Sequence, residues 1–84
     1  MSDKWQEGAL VKITDIFRDQ FLDDSLVITP ATSPLDIEEW DSLAQVNLMA
    51  AVEKVFGVRF LAEDLVAIDS VAAVLSMLKE RGAR

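Results

Sequence analysis

Both prolines of this chain, Pro30 and Pro34, fall inside one stretch, Asp23 to Asp41, while apolar residues recur at three- and four-residue steps on either side of it. Proline removes a backbone donor and crowds the preceding turn, so regular helix is confined to the flanks. Upstream, the spacing predicts an amphipathic helix from about Lys4 to Leu22, with Trp5, Ala9, Ile13, Ile16, Phe17 and Phe21 on its inner face. Asp3 is its expected N-cap, and Gln6 completes the spacing of a capping box. Downstream, Ser42 to Phe56 reads as a second helix that Ser42 caps and Gly57 terminates. Its apolar surface, from Leu43, Val46 and Ala50 to Leu48, Val52, Val55 and Phe56, is wider than one packing stripe needs.

After a short extended link, Val58-Arg59-Phe60, one or two helical turns are expected over Ala62 to Ala67. A last helix is expected from Ser70, a capping residue, to about Arg81, with Val71, Val74, Leu75 and Leu78 inward. Leu26, Ile28, Leu35 and Ile37 punctuate the proline-bearing stretch at intervals able to pin a long loop to a core. The expected fold class is all-α: a four-helix bundle of three main helices and one short one, with a long first loop. Eighty-four residues leave room for one domain, 1–84, with a thin stability margin.

Composition narrows the chemistry. The chain has no cysteine and no histidine, which excludes serine–histidine and cysteine–histidine catalysis and any thiolate metal site. No enzymatic activity of its own is expected. The acidic pairs Asp23-Asp24 and Glu63-Asp64 and the run from Asp36 to Asp41 lack the alternating spacing and mid-loop glycine of a calcium loop, so no metal site is assigned. A net charge of −7 repels phosphate backbones and anionic lipid, which argues against nucleic acid and membrane partners and for partners with a basic patch. The apolar fraction of 51% is too high for a disordered acidic tail. The polar start Met1-Ser2-Asp3-Lys4-Trp5 has no apolar signal core, and runs such as Leu48 to Val52 are far short of the roughly 18 residues of a membrane span. A cytoplasmic monomer is the expectation.

One constellation stands out, Glu39-Trp40-Asp41-Ser42-Leu43, where the loop meets a helix start. A serine there stands beside backbone amides without helical partners, at the positive end of the helix dipole, where phosphate is favoured. It can equally be a plain cap, as Ser70 would be. Trp40 can cover the loop–helix junction or stand out as an aromatic anchor for a partner.

Context bears on Ser42. Asp41-Ser42-Leu43, then Val46, Leu48, Val52 and Glu53, then Phe56-Gly57-Val58, Phe60, Glu63-Asp64 and Ile68-Asp69-Ser70-Val71 resemble the acyl carrier protein family over about three quarters of the chain. The resemblance implies a four-helix carrier bearing 4'-phosphopantetheine on Ser42, placed there from coenzyme A by a phosphopantetheinyl transferase with magnesium. It implies a cargo held as a thioester, Asp41 contacting the transferase or its metal, and Leu43 in the docking surface. The loading enzyme and the downstream transferases or synthases would then be its partners. A chain without cysteine would borrow its thiol from that group.

A tryptophan before Asp-Ser-Leu looks like stand-alone and secondary-metabolism carriers more than the fatty-acid form. Fatty-acid carriers also set several acids along the second helix. Here those places are Ala44, Asn47, Ala51 and Lys54, with Glu53 the only acid, and the acidity lies upstream at Asp36, Glu38, Glu39 and Asp41. Glu38, Glu39, Trp40, Ala44 and Asn47 are therefore expected to meet partners. Leu48, Val52, Phe56, Ile68 and Val71 are candidate walls of an acyl pocket, or plain core. An aminoacyl or peptidyl carrier and an unmodified helical interaction module stay open beside the acyl carrier.

Overall fold

The computed structural model describes residues 4–82, and the expected cap Asp3 lies outside them. Among the described residues there are four helices and no strand: α1 (Lys4–Gln20), α2 (Ser42–Phe56), α3 (Ala62–Ala67) and α4 (Val71–Glu80). The architecture is the expected all-α bundle with one short helix and a long first loop.

The inner faces of α1 and α4 follow their sequence periodicity. Ala9, Ile13, Ile16 and Phe17 of α1 and Val71, Val74, Leu75 and Leu78 of α4 are buried, with Trp5 and Phe21 packed partly against them. On the broad apolar surface of α2, packing selects the 44-48-52 row with Met49 and Phe56, and leaves Leu43, Val46, Ala50 and Val55 outside. These buried faces form one cluster with Ile28, Ile37, Trp40 and Ile68.

Three helix ends use a left-handed residue, Leu22 after α1, Gly57 after α2 and Gly82 (φ 71°) after α4. Gly57 terminates α2 at φ 68°, with its own amide and that of Val58 bonded to the Glu53 carbonyl at 2.8 and 3.2 Å. A residue without a side chain takes this conformation at no steric cost, as the sequence predicts. At the end of α1 the same turn is made by Leu22 at φ 52°, with the Asp23 amide on the Arg18 carbonyl at 3.0 Å. The helix therefore closes at Gln20, two residues before the expected end.

The long loop is ordered by its own polar groups and by the helices beneath it. Ile28 and Ile37 are buried as expected, and Leu26 is partly buried, but Leu35 is 98% exposed and pins nothing. Arg18 Nε donates to the Leu26 carbonyl at 2.8 Å, and buried Thr32 accepts the Thr29 amide on its hydroxyl at 2.9 Å. The loop ends on Trp40, whose indole stands edge-on to Phe17 at 5.0 Å between centroids, at 84°. That contact fixes where α2 begins.

Candidate functional site

With Trp40 held in the core, the next residue turns the chain into α2. Asp41 is its N-cap: the backbone is extended and Oδ1 accepts the Ala44 amide at 2.8 Å. Ser42 is thus the first residue inside the helix, one place later than the cap expected of it. Aspartate and serine are both good caps, and the choice falls on the residue that follows the anchored tryptophan. Freed from capping, the Ser42 side chain is exposed, and its hydroxyl has no hydrogen bond among the described residues. The amides of Ser42 and Leu43 likewise have no protein partner there. Two open donors and the helix dipole stand beside one accessible hydroxyl. Such an end favours an anionic group by about 0.3–1 kcal/mol.

Next to Ser42 opens a groove of ≈ 520 Å³ between the loop, α2 and α3. Pro34, Trp40, Asp41 and Ser42 form its near side, and Val46, Leu65, Val66 and Ile68 line it further on. Around it Leu43 (71% exposed), Val46 and Val66 present an apolar surface, and Asp36, Glu38 and Glu39 are exposed on the loop.

No protein-family model and no curated protein sequence matches the chain. Among solved structures, the chain is similar to the solution NMR structure of a holo acyl carrier protein from Geobacter metallireducens. The TM-score is 0.78 at 34% identity, over 87% of this chain and 84% of that one. The chain belongs to the acyl carrier protein family. It is a carrier without catalytic activity of its own, built to interact with biosynthetic enzymes. No helix among the described residues is long and apolar enough to cross a membrane.

The carrier's structure distributes the remaining sequence candidates unevenly. Glu38, Glu39, Asp41, Leu43 and Asn47 are exposed close to Ser42 in the chain. Trp40 (4% exposed) and Ala44 (7%) are not: the first packs on Phe17 and the second belongs to the inward row of α2. Neither can present its side chain to a docking enzyme. Ala51, expected outside, is half-buried. Of the five candidate pocket walls, Ile68 borders the groove, whereas Leu48, Val52, Phe56 and Val71 pack inside the core and do not line it.

Gln45 was absent from the sequence candidates. Its Oε1 accepts the Trp40 indole Nε1–H at 2.6 Å, and its Nε2 faces the carbonyls of Leu65 at 3.2 Å and Ile68 at 3.5 Å. The available signal was the tryptophan itself, since a buried indole N–H needs an acceptor. Glu53 also has a structural post: its Oε2 accepts the Phe60 amide at 2.6 Å and ties the α2–α3 link to α2.

Proposed function

We propose that this carrier is modified on Ser42 with 4'-phosphopantetheine and delivers an acyl group to partner enzymes of fatty-acid-like, polyketide or other secondary-metabolite biosynthesis. The observation that carries the reading is the Ser42 hydroxyl, exposed at the first position of α2 and without a hydrogen bond among the described residues. The donor set fits the group: the open amides of Ser42 and Leu43 suit a phosphodiester, and the groove beyond them offers an apolar side to an extended arm. When attached, the arm supplies the thiol on which an acyl group is held as a thioester.

The chain's own residues do the rest. Asp41 spends one carboxylate oxygen on capping α2, which keeps the helix start in register under Ser42. Leu43 and Val46 offer an approaching enzyme apolar contact, and Glu38 and Glu39 draw a basic surface toward the serine. The transferase, a loading enzyme and downstream transferases or synthases with basic patches are the partners this surface suits. The exposed side of α2 carries Asn47 and Lys54 where fatty-acid carriers have acids, which favours a second reading as an aminoacyl or peptidyl carrier.

The test is to incubate the purified chain with coenzyme A, magnesium and a broad-range phosphopantetheinyl transferase, and to weigh it. A mass gain of one phosphopantetheine that disappears in Ser42→Ala is expected. No gain with several such transferases would make the chain an unmodified helical interaction module.

A further inference from the structure

The groove beside Ser42 has one wall, α3, that is only partly buried against the rest of the molecule. Helix α3 is six residues long and contains no buried residue. Leu65 packs partly against the core, Ile68 below the helix enters it, and at the helix start Asp64 accepts the Leu61 amide at 2.7 Å and pairs with Arg81 at 2.5 Å. That ion pair is partly exposed, so salt screens it and its grip is weak. Beside these attachments, the last carbonyls of α3 have no helical donor, as at any helix end. They are met by a side chain from another helix, Gln45 of α2.

The orientation of that amide is settled by chemistry. An indole N–H only donates and a backbone carbonyl only accepts, so Oε1 must face Trp40 and Nε2 must face α3. Gln45 therefore joins three elements at once: the loop end through Trp40, α2 on which it sits, and the last turn of α3. Its bridge spans the seam between α2 and α3, with the groove on its outer side. Leu48 and Val52, on the same helix, are fully buried in the core.

We propose that Gln45 is a positioning residue that clasps α3 to α2 and Trp40, closing the seam to the core, so that a carried acyl group lies in the outer groove along Val46, Val66 and Ile68. This inference rests on Ser42 being the attachment point. The clasp itself is testable on the unmodified protein. Two variants separate its halves. Gln45→Glu still accepts from the indole but cannot donate to the α3 carbonyls, while Gln45→Met keeps the bulk and breaks both.

The experiment is ¹⁵N NMR of wild type and both variants, first unmodified and then loaded by the transferase from octanoyl-coenzyme A. In the unmodified protein, Gln45→Glu should lower the order parameters of Val66 and Ala67 from about 0.85 to below about 0.6. Leu48, Val52 and Val74 should keep theirs. The Trp40 indole proton should exchange slowly in wild type and Gln45→Glu, and quickly in Gln45→Met. In the loaded wild type, the octanoyl group should shift the amides of Val46, Val66 and Ile68 and leave those of Leu48 and Val52 in place.

An α3 that stays rigid in both variants overturns the clasp, and so does an equal loss of order throughout the molecule. Octanoyl-dependent shifts at Leu48 and Val52 in wild type overturn the closed seam. A wild type that takes no arm at Ser42 overturns the carrier reading and with it the path proposed for the cargo, while the unmodified-protein spectra still decide the clasp.

Discussion

Helices α2 and α4 begin with similar chemistry and end up with opposite roles. Each start has an aspartate–serine pair, Asp41-Ser42 and Asp69-Ser70. At α4 the serine is the cap, with Oγ accepting the Ala73 amide at 3.2 Å, and the next two amides are covered by the loop: Val71 N–H donates to the Thr32 carbonyl and Ala72 N–H to the Pro30 carbonyl, each at 2.9 Å. At α2 the aspartate is the cap, the serine is left over, and nothing among the described residues covers the first two amides. One start is closed by the fold and the other is presented to solvent. A serine's neighbours in three dimensions, more than its local sequence, decide whether it is a structural or a chemical group.

The strongest way to break this comparison is to truncate the side chain just inside each start. Val71 is fully buried and Leu43 is 71% exposed. Val71→Ala should cost about 2 kcal/mol, two buried methylene equivalents plus a cavity. Leu43→Ala should stay within about 0.5 kcal/mol and act instead on transfer by partner enzymes. Urea unfolding measures both, and equal losses would erase the distinction.

The caps sharpen it. Asp41→Ala and Ser70→Ala should each cost about 0.5–2 kcal/mol, while Ser42→Ala should change stability by less than about 0.5 kcal/mol. A Ser42→Ala variant as destabilised as the two cap variants would return Ser42 to the role of a cap.

How far the sequence reaches is clearest at these same residues. Gly57 and Ser70 do what their types and places predict, because a left-handed terminator and an N-cap are local devices. The inward rows of α1 and α4 are equally legible, since each has a single apolar stripe. On α2, apolar residues surround most of the helix, and only packing decides that Ala44 turns in while Val46 turns out. The shift of the cap from Ser42 to Asp41 and the place of Gln45 depend on Trp40 being anchored on Phe17, a contact 23 residues away along the chain. Leu35 fails to pin the loop for a related reason: the turn that contains it is held by polar bonds, with the Ser33 amide on Asp36 Oδ2 at 2.9 Å.

Charge reversal probes the open end at smaller amplitude. With Glu38→Lys and Glu39→Lys together, the rate of Ser42 loading should fall at low salt and recover toward wild type at high salt, because exposed charges act over a Debye length of about 10 Å at 0.1 M. Equal slowing at both ionic strengths would place these residues in direct contact rather than in steering.

The smallest effect concerns Asp23, where the loop begins. Its carboxylate accepts from the Ser25 hydroxyl and amide, which holds its pKa below the ordinary value. Because the folded-state value is depressed, its stabilising contribution is complete above the ordinary carboxylate range and is lost as pH falls through the folded value. An NMR titration should find Asp23 protonating below the ordinary carboxylate range, and Asp23→Asn should remove that acid-range dependence.

The most direct test of the account is peptide mapping by mass spectrometry of the wild-type chain after reaction with coenzyme A and a phosphopantetheinyl transferase. The account predicts the arm on the peptide containing Ser42 and unmodified peptides at Ser25, Ser33, Ser70 and Ser76. An arm on Ser70, at the start the loop has closed, or an unmodified Ser42 peptide in a fully reacted sample, would contradict it.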